Sequence, residues 1–213
     1  MKDKGYIEEL ILEGEHEHQD FKYQISDARK IARSISAFAN NTGGRLLVGV
    51  KDNGNIAGVS SDEEIYMIEQ AASMYCKPEQ KVEFRLYRIQ GKSVLKVDIH
   101  EAQDKPVKAP DENGRWKAYF RVADENVLAS ALHVKVMRQE ATKEDAVVLS
   151  FTGNEQLLLD YLENHGGISL PGYMRLVHVS RQAAECSVMK LCEMGVIRLD
   201  YHDGHCLMTK PVD

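Results

Sequence analysis

Residues 35–54 read ISAFANNTGGRLLVGVKDNG, from Ile35 to Gly54, and pass from a helix end through a glycine turn into a strand and out through a polar turn. Ile35 and Phe38 continue an apolar stripe that begins at Ile31, with Arg29, Lys30 and Arg33 left to solvent and Asp27 placed to cap the helix. Asn40 tolerates a left-handed backbone, and Gly43 and Gly44 supply the freedom a tight turn needs, so the helix is expected to stop near Asn40. A helix-to-strand turn is favoured here over a phosphate-binding nest of glycine amides. Leu46 to Val50 is an unbroken apolar run, which predicts a strand buried on both faces and therefore central. Asp52-Asn53-Gly54-Asn55 reads as a tight turn and Ile56 to Val59 as a short return strand.

Upstream, residues 5–12 suit a short apolar helix or turn, and the alternation from Glu13 to Tyr23 suits a half-exposed strand. Downstream, a helix over 62–75 presents Ile65, Ile68, Ala72 and Tyr75 to a core, and 81–89 with 92–100 form a hairpin about Gln90-Gly91. A loop holding Pro106 and Pro110 leads into a strand over 116–122, where Trp116 reads as a packing anchor ahead of a base-stacking platform. A helix over 125–138 then carries Val127, Ala131, Val134 and Met137. The expected fold is α/β, a mixed sheet with flanking helices, closed by a polar linker over 139–145.

That linker sets expected domains of 1–145 and 146–213. In the second, Asn154 caps a helix holding Leu157, Leu158, Tyr161 and Leu162, Gly166-Gly167 breaks it, and 170–177 forms another. Ser180 opens a third with Ala183, Ala184, Val188, Leu191 and Cys192 spaced for burial, and strands at 196–199 and 206–208 bracket Asp203-Gly204. Three helices followed by a two-stranded ribbon predict a small winged-helix domain.

Composition narrows the function. With 43% hydrophobic residues the 213-residue chain has ample core. The four cysteines form no CxxC pair and read as reduced thiols of a cytoplasmic protein. No apolar stretch approaches the roughly 20 residues of a membrane span, and Met1 to Gly5 is not followed by the apolar segment of a secretion signal. The net charge of −6, split evenly about residue 150, excludes a protein that coats nucleic acid by bulk attraction, though not a local basic face. There is no GxxxxGK[ST] run for ATP and no GxSxG for acyl transfer. His16 with His18, and His202 with His205 and Cys206, read as ordinary polar groups, so no cofactor is expected.

The text Glu15 with Asp20-Phe21-Lys22, then SAFANNTGG over 36–44, Leu46 to Val50, DNGNIAGV over 52–59, and Tyr119-Phe120-Arg121-Val122 resembles the Schlafen AlbA_2 family, also called the divergent AlbA or divergent AAA-4 domain. The resemblance covers residues 13–140. It implies an AlbA_2-like α/β domain of the kind found in bacterial proteins called DNA-binding or transcriptional regulators, often with a winged-helix region downstream. Some animal relatives cleave structured RNA with three acidic residues, whose counterparts by motif position are Glu15, Asp20 and Asp52. Asp20 stands where the family's EFK element usually has glutamate, which draws the carboxylate back by about one methylene.

The expected function is a non-catalytic, DNA-binding transcriptional regulator, homodimeric, with RNA as a second possible partner. Lys22, Arg29, Lys30, Arg33, Arg45, Lys51 and Arg121 are its candidate phosphate contacts in the first domain, and Arg181, Gln182, Lys190 and Arg198 its contacts in the second. One alternative is a nuclease whose Glu15, Asp20 and Asp52 hold Mg²⁺ or Mn²⁺ to activate water. The other is a protein-interaction or dimerisation module.

Overall fold

A computed structural model describes residues 2–59, 62–140 and 151–211. The chain divides into two compact units, Met1–Ala129 and Ser130–Asp213. The expected boundary at 145/146, and residues 141–145 of the expected linker, lie outside the described residues.

The first unit is mixed α/β, as expected. Its elements are α1 (Lys2–Glu13), β1 (Gln19–Lys22), α2 (Ala28–Asn40), β2 (Gly44–Val48), α3 (Glu63–Met74), β3 (Val82–Ile89), β4 (Lys92–Ile99), β5 (Lys108–Pro110), β6 (Trp116–Val122) and β7 (Glu125–Leu128). The main sheet runs β1-β2-β4-β3, and β2 is central, parallel to β1 and antiparallel to β4. Alternation along β2 divides its side chains between two cores. Leu46 and Val48 join Ile31, Ile35 and Phe38 of α2, while Leu47 joins Ile7 and Leu10 of α1 with Phe21 of β1. All three β2 residues are fully buried, the reason the run is apolar without interruption.

Helix α2 is covered on its other side by the small sheet β5-β6-β7. This accounts for its composition. Ala32, Ser34, Ser36, Ala37 and Ala39 are buried with the larger Ile35 and Phe38, and small residues let strands approach on both sides. Asp27 caps α2 as expected, its carboxylate accepting from the Arg29 and Lys30 amides. Asn40 is not the left-handed stop that its type suggested. It is helical and buried, Asn41 is the C-cap at φ −87°, and the left-handed residue is Gly43 at φ +82°. A side chain at Gly44 would meet the Phe38 ring at 2.2 Å, so close packing of helix end on strand start fixes that glycine.

Three expectations in this unit change. Between Glu13 and Tyr23 only Gln19–Lys22 is a named strand, because the chain first turns at Gly14 (φ +76°) and pairs His16 with Gln19. The return strand reduces to a bridge of Val50 with Ile56. Residues 125–128 are strand β7, with Val127 paired to Phe120 across a turn at Ala123, and the helix starts only at Ala131. Apolar spacing that continues by chance across a hairpin into a helix mimicked one longer helix.

The second unit contains α4 (Ala131–Glu140), α5 (Gly153–His165), β8 (Gly167–Ile168), α6 (Leu170–Val177), α7 (Arg181–Glu193), β9 (Arg198–His202) and β10 (His205–Thr209). Helix α4 packs on α7, so it belongs to this unit. Thr152, not Asn154, caps α5 through a reciprocal capping box with Glu155. Ser169 and Ser180 cap α6 and α7. The ribbon β9–β10 gains a third strand, β8, giving the antiparallel order β8-β10-β9. Leu158, Leu162, Tyr173, Ala184, Val188, Leu191, Ile197 and Met208 form its core.

Candidate functional site

Strand β1 places Asp20 and Lys22 on one face and Gln19 and Phe21 on the other. Asp20 is 4% exposed, so a carboxylate is held inside and must find positive charge there. It finds two sources. Lys22 Nζ lies 2.6 Å from Asp20 Oδ2, and Arg121 Nη1, from β6, lies 3.8 Å away. Arg121 Nη2 donates to the His16 and Gln19 carbonyls and Nη1 to Asn126 Oδ1, while its Cζ stands 4.8 Å from the centre of the Phe38 ring. Burial pulls the guanidinium below its ordinary value against the opposing attraction of Asp20 and Glu15.

Glu15 folds over the same strand, its Oε1 accepting from the Phe21 amide at 2.9 Å. Burial, followed by a hydrogen bond shared with Asp20, pushes the Glu15 carboxyl up from its ordinary value. The structure thus brings two of the three predicted acids together. Asp52 is elsewhere. It is exposed in the turn after β2, six positions past Leu46, the β2 partner of Asp20. Among the described residues no three of His, Cys, Asp and Glu are grouped to hold a metal ion.

The predicted basic residues fall into two sets. Arg121 is internal, its side chain 1% exposed and committed to Asp20 and main-chain carbonyls. Lys22 is half-buried on Asp20, and Arg45 is held by Gln19 and Glu13. Arg33 donates to the Pro110 carbonyl. Arg29 and Lys30 are exposed on α2, and Lys51 is exposed with Nζ 5.4 Å from the Tyr23 ring centre. In the second unit Arg181 and Gln182 are exposed in the first turn of α7, and Arg198 is exposed on β9 beside Asp200. Lys190 is tied to Glu155, 2.9 Å away, and joins α7 to α5. An arginine or lysine in a motif does not announce whether a carboxylate will fold beneath it, so exposed and internal cations looked alike in the sequence.

The internal polar positions carry the largest difference. Asn40 donates to the Val107 and Tyr119 carbonyls and accepts from the Val107 amide, and Asn41 both accepts from Arg121 N and donates to Arg121 O. The paired asparagines therefore dock the second sheet on the end of α2, behind the Asp20–Arg121 pair. Gly43 spends its amide on the Phe38 carbonyl, which leaves that amide to the turn. Trp116, expected to be internal, is 37% exposed. All four cysteines are free thiols, and burial pushes Cys76 up to about 12. No helix among the described residues is long and apolar enough to cross a membrane.

The family model described as Schlafen, AlbA_2 matches residues 15–130. That span includes Glu15, Asp20, Asn40, Asn41 and Arg121 but ends before α4. No curated protein matches the chain. Among solved structures, the DIP2311 protein of Corynebacterium diphtheriae is similar at 18% identity and TM-score 0.46, over 90% of this chain and 34% of that one. The N-terminal domain of a RecG-related protein from Nitrosomonas europaea is similar at 19% identity and TM-score 0.43, over 71% of this chain and 95% of that one. The chain thus spans about a third of the first of these.

Proposed function

The chain belongs to the Schlafen AlbA_2 family, whose domain spans residues 15–130, and on that premise we propose that it is a non-catalytic DNA-binding regulator whose segment from α5 to β10 acts as a winged helix. The observation that supports this is the order α5-β8-α6-α7-β9-β10 with Arg181 and Gln182 exposed in the first turn of α7. A recognition helix enters the major groove by that end, where a guanidinium and an amide can meet base edges or phosphates. Arg198, on the ribbon, extends the same contact along the backbone. Two copies in a homodimer bind adjacent half-sites and so offset the weak attraction of an acidic protein for DNA. A cytoplasmic site of action goes with this reading, and RNA is the secondary partner.

The test is binding of the purified chain to labelled duplex DNA, single-stranded DNA and structured RNA across a salt series. Duplex is retained at low salt and released as salt rises, and Arg181→Ala weakens it about tenfold. No duplex affinity at low salt sinks the proposal.

The meeting of Glu15 with Asp20 favours one second reading, metal-dependent cleavage. The residues do not fit it as they stand, because Asp52 lies outside the pair and Asp20 is already neutralised by Lys22 and Arg121. Products that form only with Mn²⁺ or Mg²⁺ and vanish in Asp20→Asn would put cleavage first.

A further inference from the structure

Two rings and four cations converge on one surface of the first unit, at the turn that follows α3. Cys76 is pinned beneath it, its thiol donating to the Ala32 carbonyl of α2 at 3.6 Å. The residues on either side of that anchor each enter a cation–ring contact. Tyr75 lies under Arg29 of α2, with the guanidinium 5.5 Å from the ring centre. Lys77 lies over Trp116, its ammonium 4.1 Å from the ring centre. Paired main-chain hydrogen bonds between Lys77 and Lys108 bring β5 alongside. Pro110 then pairs with Trp116, and its carbonyl accepts from Arg33.

This is an unusual place for a tryptophan. The ring is 37% exposed at the start of β6, outside each of the hydrophobic clusters of the described residues. Most of the surrounding cations lack an ion-pair partner among the described residues. Of Arg29, Arg33, Lys77 and Lys108, only Arg33 has a carboxylate within 4 Å among the described residues, at Glu112, whose own side chain is 87% exposed. Cations held close together over aromatic faces repel one another and attract a polyanion, while the rings offer flat apolar area to a flat apolar partner.

We infer that this surface, built by Arg29, Tyr75, Lys77 and Trp116 with Arg33 and Lys108 at its edge, binds single-stranded nucleic acid by stacking unpaired bases on Trp116 and pairing phosphates with the cations. A duplex keeps its base faces stacked internally and cannot supply them to Trp116, so the site selects unpaired strands. Stacking of this kind tolerates any base, because each has a π face. DNA and RNA share that chemistry. The inference rests on the proposed nucleic-acid function but assigns a different surface and a different form of the polymer from the α7 contact.

Trp116 is the only tryptophan of the chain, so tryptophan emission reads this ring alone. The experiment titrates the full chain with oligothymidylate, oligouridylate and a blunt duplex, each of about 12 nucleotides, recording emission together with the anisotropy of a label on the nucleic acid. Saturable, salt-sensitive quenching by the unpaired strands and none by the duplex is the expected result, and the stronger of the two strands names the source. Lys77→Ala and Trp116→Ala each weaken single-strand binding by about tenfold, with Trp116→Phe retaining most of it. Melting of each variant reports whether it folds, and wild-type quenching needs no variant. Single strands that bind without quenching, or that bind Trp116→Ala as they bind wild type, overturn the inference. Duplex binding with no single-strand binding overturns it while leaving the regulator reading intact, and no binding of any nucleic acid removes both.

Discussion

Asn40 turns a helix terminus into a structural joint. Its amide serves two buried carbonyls and its carbonyl oxygen one buried amide, all on the segment that leads into and through the second sheet. Asn40→Ala leaves the Tyr119 carbonyl and the Val107 amide without their partner, while Ser36 Oγ still donates to the Val107 carbonyl, and should cost about 2 kcal/mol or more, read as a lower denaturation midpoint with an unchanged slope. Glu15 shows the opposite economy, since its charge is a burden to the fold. Its folded value is raised, so its contribution to stability is complete below about 4.5, the ordinary value, and is lost as pH rises through the folded value. Glu15→Gln keeps an acceptor for the Phe21 amide and offers a donor to Asp20. It should stabilise the fold at neutral pH, by less than about 1 kcal/mol because the site is half-open to solvent, read as a higher melting temperature there and an unchanged one at pH 4. A melting temperature that falls at pH 7 would show that the carboxylate is needed as an anion there.

Helices α5 and α7 are joined through Glu155 and Lys190 as well as through their apolar faces. Glu155 is buried, yet despite that desolvation the Thr152 amide and Lys190 hold its carboxyl below the ordinary value. The sign is reversed from Glu15. This contribution is present above about 4.5 and disappears as pH falls through the lowered value. Lys190→Met should destabilise the second unit by about 2 kcal/mol at neutral pH, the scale of a hydrogen bond to a buried charged group, and by less in acid. If Lys190 instead served nucleic acid directly, the same substitution would weaken binding while leaving the melting curve in place. Helix α7 therefore presents Arg181 and Gln182 outward while Lys190 secures its position.

For the molecule as a whole, a net charge of −6 sets a demanding condition on any nucleic-acid function. Duplex affinity must come from a few local cations, so its logarithm should fall with the logarithm of salt at a slope near −0.9 for each phosphate contacted, doubling in total if two copies bind together. Binding isotherms that shift with protein concentration alongside sedimentation of a dimer would support two half-sites, and a monomer with half the slope would oppose them. The run from Ile35 to Gly54 was enough to establish a buried helix, a glycine turn and a central strand, because local periodicity and backbone freedom leave few other outcomes for such text. The cap at Ser180 and the position of α6 were equally readable, being set within a few residues of themselves. The extent of β1 and the strand β8 were not, since each depends on a partner distant in sequence, and the β7 hairpin was masked by apolar spacing that runs on into α4. The same holds at the site. Why Arg121 is internal, why Trp116 is not, and what Asn40 binds are consequences of β6 crossing α2, about 80 residues further along the chain. Periodicity carries information about which face of an element is buried, whereas the pairing of one polar side chain with another exists only once the elements between them have been brought together.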